Sequence, residues 1–292
     1  MARSGDTGLI GGIEAGGTKF VLAVGSAPNA IKARHEIPTR DPAATLEEAA
    51  QWFEKHGQIC GLGIATFGPA QLDPNSPQWG HILQTPKPDW SDCGIAPFFT
   101  DRLGVPAGFD TDVNGAALAE YRFGAGKDAG SLAYVTVGTG IGGGLIIDGH
   151  PVHGAAHPEM GHMFPRHSAD DGGFAGICPA HGDCLEGVAS GPAIKARWGG
   201  SLSDLSPDHS AHETVAAYLA QLCHTLFAVT AVETVVLGGG VMNTPGLLDR
   251  VRAASDGLGN GYLPGIGKHR ITGPALGANA GITGALLLAP HG

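Results

Sequence analysis

The run CPAHGDCLE sets Cys178, His181 and Cys184 at the spacing Cys-x2-His-x2-Cys, with Glu186 close behind. Thiolate and imidazole at such spacing are what a structural zinc takes, four ligands to a tetrahedron, and the run supplies three of them. His157, His162 and His167 stand upstream as candidates for the fourth. Other readings compete. A redox pair is more commonly Cys-x2-Cys than Cys-x5-Cys with a histidine inside, and a nucleic-acid zinc finger would want a basic face where this chain has the acidic run DDGG. A loop that binds no metal is the plain alternative. A second chemistry attaches to glycine. EAGGTK (14–19), GTGIGGG (138–144) and LGGG (237–240) are turns whose backbone N–H groups could approach a phosphate without a side chain in the way. Tight hairpins also use glycine for backbone reasons alone, so each turn by itself says little.

These residues need elements to hold them. LIGGIEAGGTKFVLAV (9–24) reads as two strands about a glycine turn, AIKARHEIP as a third strand, and ATLEEAAQWFEKHG as a helix. ICGLGIATFG (59–68) is a buried strand running into a glycine loop, followed by helix IAPFFTDRLG and strand VPAGFDTD. The second half repeats this plan: SLAYVTVGTGIGGGLIIDG (131–149) is again strand, turn, strand, and ETVVLGGGV (233–241) again puts a buried strand before a glycine loop. Measured between these landmarks, the second copy is longer by about 50 residues, which marks an insertion at 149–200 that contains the cysteine cluster. SAHETVAAYLAQLCHTLFAVTA is a long helix with Ser210 and Glu213 as a capping box, and GANAGITGALLLA is a small-residue helix closing the chain. Alternating strands and helices give an α/β fold, and duplicated lobes with glycine hairpins suggest a nucleotide site.

Composition agrees. At 292 residues the chain suits two lobes, and its 42% hydrophobic content readily builds their cores. A net charge of -10 repels phosphate backbones, so neither nucleic acid nor a membrane surface is an expected partner. No stretch approaches the roughly 20 apolar residues that span a bilayer. MARSGDTGLIGG lacks the apolar core of a signal peptide, which makes the cytoplasm the expected location. Cys60, Cys93 and Cys223 are scattered, a poor disulfide framework, and Cys223 shares an apolar helix face with Leu219, Leu222 and Leu226. His35, His56, His209 and His269 show no partner pattern and read as surface residues.

GGIEAGGTKF, GFDTDVNGAALAE, VTVGTGIGGG, HPEMGHM, CPAHGDCLEG and GPALGANAGITGAL resemble the ROK sugar kinases, and among them the bacterial fructokinase branch, in order from about residue 9 to residue 289. The resemblance implies a two-lobed actin-like ATPase (ribonuclease H-like) fold with ATP and sugar in the cleft. The N-terminal lobe would be residues 1–112, joined by a C-terminal helix at 275–292, and the C-terminal lobe 113–274 with the zinc-binding insertion. By position, Gly16, Gly17, Thr18 and Lys19 would lie near the ATP phosphates, Thr139, Gly140 and Gly142 near the β- and γ-phosphates, and Gly238, Gly239, Gly240 and Gly277 at the adenosine. Glu14 stands where most of the wider family has Asp; the fructokinase branch commonly has Glu.

Asp112 matches the family's catalytic aspartate. A sugar hydroxyl is almost fully protonated at neutral pH, so attack on the γ-phosphate needs a carboxylate to take its proton. The plain alternative is that Asp112 only caps a helix beginning near Val113. Asn114 is expected at the sugar, whereas the resemblance does not single out Asp110. His162 is selected as the fourth metal ligand and also as a sugar neighbour, and Glu159 and Glu186 match glutamates that accept hydrogen bonds from sugar hydroxyls. Phosphoryl transfer uses magnesium with ATP, which leaves one zinc per chain a structural part. The implied activity is transfer from ATP to the 6-hydroxyl of a hexose, D-fructose in particular from FGP, GHI and TPKP within residues 63–90. Glucokinase and N-acetylmannosamine kinase are the alternatives within the family, and a non-catalytic sugar sensor the alternative outside enzymes. The family's repressors carry a helix-turn-helix ahead of the kinase-like part, for which a first strand near Leu9 leaves no room. A homodimer is expected.

Overall fold

A computed structural model of the chain describes residues 8–168 and 172–290, so the first seven residues of the run read for a signal and the acidic pair at 170–171 lie outside the described residues. The chain divides into two compact units. One is made of the residues up to Ala119, His153–His157 and those from Leu276 onward; the other is Glu120–Val152 and Pro158–Ala275.

In the first unit, strands β1 (Leu9–Ala15), β2 (Lys19–Ala27) and β3 (Ala30–Pro38) pair antiparallel, and β4 (Ile59–Thr66) and β5 (Ala107–Thr111) add in parallel beyond β1, giving the order β3-β2-β1-β4-β5. The central strands are apolar almost throughout because both sheet faces are covered. On one face, α1 (Pro42–Lys55) and α2 (Ile95–Leu103) help to bury Phe20, Phe53, Trp90 and Phe99. Helix α1 starts where Asp41 accepts from the Ala44 N–H at 2.9 Å, with Pro42 behind it. On the other face lies α8 (Ala280–Leu288), which buries Ile282, Ala285 and Leu286 against Ile10, Val21 and Ala65. Its backbone comes unusually near the strands: a Cβ on Gly63 would stand 1.7 Å from the Ala285 carbonyl oxygen, and one on Gly108 1.9 Å from that of Leu288.

The second unit repeats the connectivity. β6 (Ser131–Val137), β7 (Ile141–Ile147) and β8 (His150–Pro151) pair antiparallel, β9 (Thr234–Gly238) and β10 (Arg270–Thr272) add in parallel, and the order is β8-β7-β6-β9-β10. Its core is built on α6 (Ala211–Thr230), which buries Val215, Leu219, Leu222 and Leu226 against the sheet, and on α7 (Leu247–Gly259). Cys223 lies in this core at 0% exposure, as its helix face predicted. The capping box at the start of α6 does not form: Ser210 is itself helical and caps nothing, and Glu213 pairs with Arg250. Three of the scattered histidines have specific partners. His56 bonds the Trp52 carbonyl through Nδ1 at 2.8 Å, His209 Nδ1 accepts from the Ala211 N–H, and His269 stacks on Phe227 at 4.3 Å. Among the described residues no helix is long and apolar enough to cross a membrane.

Candidate active site and metal centre

In the first unit the β1–β2 turn is closed by the Gly16 N–H on the Lys19 carbonyl at 3.0 Å, and by Thr39, whose hydroxyl donates to the Gly16 carbonyl at 2.7 Å. Gly17 and Thr18 are exposed at its tip, while the Lys19 ammonium reaches Glu36 at 2.9 Å. Glu14, one strand position inside the turn, packs its carboxyl against Gly281 of α8, and burial raises its pKa from the ordinary carboxylate value despite nearby Lys19. Gly277, with φ 53°, sits in the short turn leading into α8.

The strand-to-helix junction DTDVN carries β5 into α3 (Asp112–Phe123). Here the cap is Thr111: its hydroxyl accepts from the Asn114 N–H at 3.2 Å. Asp112 is therefore the first helical residue, half-buried, with Oδ1 accepting from the Val113 N–H at 2.8 Å. Its position differs from the plain alternative, in which Asp112 only caps a helix beginning near Val113. Asn114 is fully buried and donates through Nδ2 to Asp110 at 2.7 Å.

In the second unit the β6–β7 turn is Gly138–Gly140, closed by the Gly138 N–H on the Gly140 carbonyl at 2.8 Å, with Thr139 exposed at the tip. Gly142 lies on β7 itself, paired with Thr136. Glu186, on α4 (Leu185–Ala189), accepts from the Ile141 N–H through Oε2 at 2.8 Å. A Cβ on Gly140 would meet that same oxygen at 2.6 Å, so the glutamate and the glycine turn are fitted to each other. Beyond β9, Gly239 takes φ 91° with its Cβ direction 2.4 Å from the Val137 carbonyl oxygen, a place only glycine fits. A cavity of about 410 Å³ opens beside these turns, lined by Thr139, Gly240, Val241 and Thr244 and, across from them, by Gly191, Pro192 and Leu202. Helix α5 (Gly191–Trp198) begins at this wall, capped by Ser190 and tied to the turn by the Gly191 N–H on the Gly138 carbonyl at 2.8 Å.

The cysteine run folds as a tight knuckle in which Cys178 and Gly182 exchange backbone hydrogen bonds at 3.1 and 2.8 Å. The fourth donor beside it is His162: the donor atoms of His162, Cys178, His181 and Cys184 all lie within 4.8 Å of one another. Of the other candidates, His157 belongs to the first unit, where Nε2 accepts from the Ala70 N–H at 3.2 Å, and His167 bonds the Tyr218 hydroxyl at 3.0 Å. Zinc–nitrogen and zinc–sulfur bonds of about 2.05 and 2.3 Å fix the edges of a tetrahedron at about 3.3–3.4 Å between nitrogens and about 3.5–3.6 Å between nitrogen and sulfur. The two Nδ1 atoms are 3.3 Å apart, Cys184 Sγ is 3.5 Å from His162 Nδ1, and Cys178 Sγ is 3.8–3.9 Å from both histidines. The donor set and its spacing thus fit a tetrahedral metal. Burial pushes the Cys184 thiol up to about 11, so a metal binding there must displace a proton. Glu159 is exposed at the start of the short turn Met160–His162 that presents His162.

The ROK family model matches residues 10–291. The chain belongs to the ROK family. It is 45% identical over 292 residues to a fructokinase of Zymomonas mobilis, an alignment covering 97% of each protein. With a fructokinase of Pediococcus pentosaceus it is 39% identical over 284 residues, covering 96% of this chain and 97% of the relative. A ROK hexokinase of Thermus thermophilus, known as a crystal structure, matches with a TM-score of 0.80 at 27% identity, over 96% of this chain and 97% of that one. The two sheets of one strand order are thus the duplicated lobes of the ROK actin-like ATPase fold.

Two features of this ROK chain escaped the sequence reading. The cavity wall at Gly191 and Pro192 was signalled by Ser190-Gly191-Pro192, a helix-start pattern with an N-cap and a proline in the first turn. The contact of His153 Nε2 with Asp110 Oδ2 at 3.0 Å joins residues 43 positions apart, and nothing local announces it.

Proposed function

We propose that this ROK chain is a fructokinase, transferring the γ-phosphate of ATP to the 6-hydroxyl of D-fructose. The observation that carries the reading is near-full-length identity of 45% and 39% to two proteins named as fructokinases. Asp112 is the general base: it sits at the head of a helix whose capping is done by Thr111, where its carboxylate can take the proton of a sugar hydroxyl. The turns at Gly16–Thr18 and Thr139–Gly140 offer backbone N–H groups to the phosphates, and the cavity at Gly240 and Leu202 suits the adenosine. Magnesium bound with ATP supplies the positive charge that phosphoryl transfer requires. Asn114, Glu159, His162 and Glu186 receive the hexose, and Glu186 also braces the second glycine turn through Ile141. One zinc per chain, held by His162, Cys178, His181 and Cys184, fixes the loop that carries these glutamates. The reading includes a homodimer, from the family resemblance, and a cytoplasmic setting, where ATP is the phosphoryl donor.

An assay of ADP release with magnesium-ATP and a panel of fructose, glucose, mannose and N-acetylmannosamine tests it. Fructose is expected to give the highest kcat/KM. Equal values for fructose and glucose would defeat the fructose assignment, and no turnover with any of the four by folded, zinc-loaded protein would defeat the kinase.

A further inference from the structure

The four donors of the metal centre differ in how the fold holds them. Cys178 and Cys184 are buried, at 7% and 0% exposure, and His162 is half-buried. Each of these three stands on backbone tied to the interior of the second unit. Cys184 leads directly into α4, whose Leu185 and Val188 are core residues, and the Leu185 N–H donates to the carbonyl of Met163, next to His162, at 2.8 Å. On the other side of His162, Gly161 lies so close to β7 that a Cβ there would stand 1.8 Å from the Ile141 carbonyl oxygen. Beside Cys178, the Ile177 N–H donates to the Gly187 carbonyl at 3.0 Å.

His181 is the exception. It sits at the outer end of the knuckle with Pro179 and Ala180, all three exposed, and the backbone bonds that close the knuckle run between Cys178 and Gly182 alone. An exposed side chain turns about its own bonds quickly, whereas withdrawing a buried thiolate requires the close-packed residues around it to open. Among the described residues, the one aromatic neighbour of the His181 ring outside the ligand set is Phe164, which meets it edge-on with centroids 6.0 Å apart and planes at 81°. Phe164 is itself 64% exposed, so this contact stands outside the packed core.

We propose that the centre exchanges its metal through His181, and that Phe164 is a positioning residue that holds this imidazole in place and slows the exchange. His181 turns outward first, its bond to the metal breaks, and the coordination position it leaves goes to water or a competing ligand. Release from the other three donors follows, and loading runs the same steps in reverse. The inference rests on reading the four donors as a zinc centre, and it adds the path by which the ion comes and goes.

The test mixes zinc-loaded protein with an excess of a chromophoric chelator and follows zinc release from the wild type, Phe164→Ala, Phe164→Tyr and Ile177→Ala. Phe164→Ala is expected to release zinc about two- to tenfold faster, the range that an edge-to-face ring pair is worth. Phe164→Tyr, which keeps the ring, is expected to stay near the wild-type rate, and so is Ile177→Ala, which removes another exposed apolar side chain beside the knuckle. A second arm removes each imidazole in turn. His181→Gly and His162→Gly are both expected to lose zinc, and added imidazole to restore its retention in His181→Gly, where the vacated position opens to solvent, but not in His162→Gly. If a glycine variant fails to fold, the release rates decide. An unchanged rate in Phe164→Ala, an equal acceleration in Ile177→Ala, or rescue of both glycine variants alike would overturn the exchange path and leave the zinc centre standing. Wild type that takes up no zinc would overturn the centre itself, and the inference with it.

Discussion

Asp112 stands at the first position of α3 with the capping work done by its neighbour Thr111, so its replacement separates catalysis from folding. Asp112→Asn is expected to fold and to bind ATP and fructose nearly normally, with kcat lower by a factor of about 10²–10⁴, the usual worth of a general base. Turnover close to that of the wild type would remove Asp112 from the role. Glu14 offers a second experiment, on stability. Burial raises its folded-state pKa above the unfolded value, so its contribution to folding is fully present below the unfolded pKa and is lost as pH rises through the folded one. Glu14→Gln, which cannot ionise, is therefore expected to raise the unfolding temperature at pH 8 by a few degrees and to change it little at pH 4. A shift of the same size at both pH values would show that packing against Gly281, and not the charge, sets the effect. At this scale the sequence was informative where chemistry is local. Cys178, His181 and Cys184 announce themselves by spacing, whereas the role of Thr111 depends on a hydroxyl meeting an N–H and the pairing of Asp110 on a distant histidine.

The knuckle at Cys178–Gly182 and the turn Met160–His162 are short elements, and the set of four donors brings them together. A structural metal contributes folding free energy directly, so chelation at neutral pH is expected to lower the unfolding temperature and to weaken fructose binding, both restored by zinc. Metal analysis of the purified protein should find one zinc per chain; fully active, metal-free protein would rule the centre out. The same stretch shows where reading elements from sequence stops. The strands and long helices follow from apolar runs and periodicity, and β3 falls on AIKARHEIP as expected. The capping box at Ser210 and Glu213 fails because Ser210 itself takes a helical backbone and its hydroxyl caps no N–H of the first turn, while Glu213 turns to Arg250 of α7.

For the molecule as a whole, the repeated order of strands made the duplication legible, since each copy opens with a hairpin about a glycine turn and places a buried strand ahead of a loop. What the repeat did not show is the difference at the sheet edges: β3 has nine residues and its counterpart β8 two, the second edge being cut short where the insertion begins. The first unit is also closed by a segment far along the chain. Because α8 rests on Gly63 and Gly108 with no room for a side chain, Gly63→Ala is expected to destabilise this unit by about 1–3 kcal/mol or more, the cost of overpacking. Urea unfolding would measure it, and a variant as stable as the wild type would show that α8 can lift away without loss. The order of the chain then has a consequence for synthesis. Every residue of the second unit leaves the ribosome before α8 does, so the part translated first is the part completed last. Until α8 arrives, the nascent protein carries an uncovered apolar sheet face at Ile10, Val21 and Ala65 although the second unit already has all its strands, and such a face is a place where a chaperone protects against aggregation.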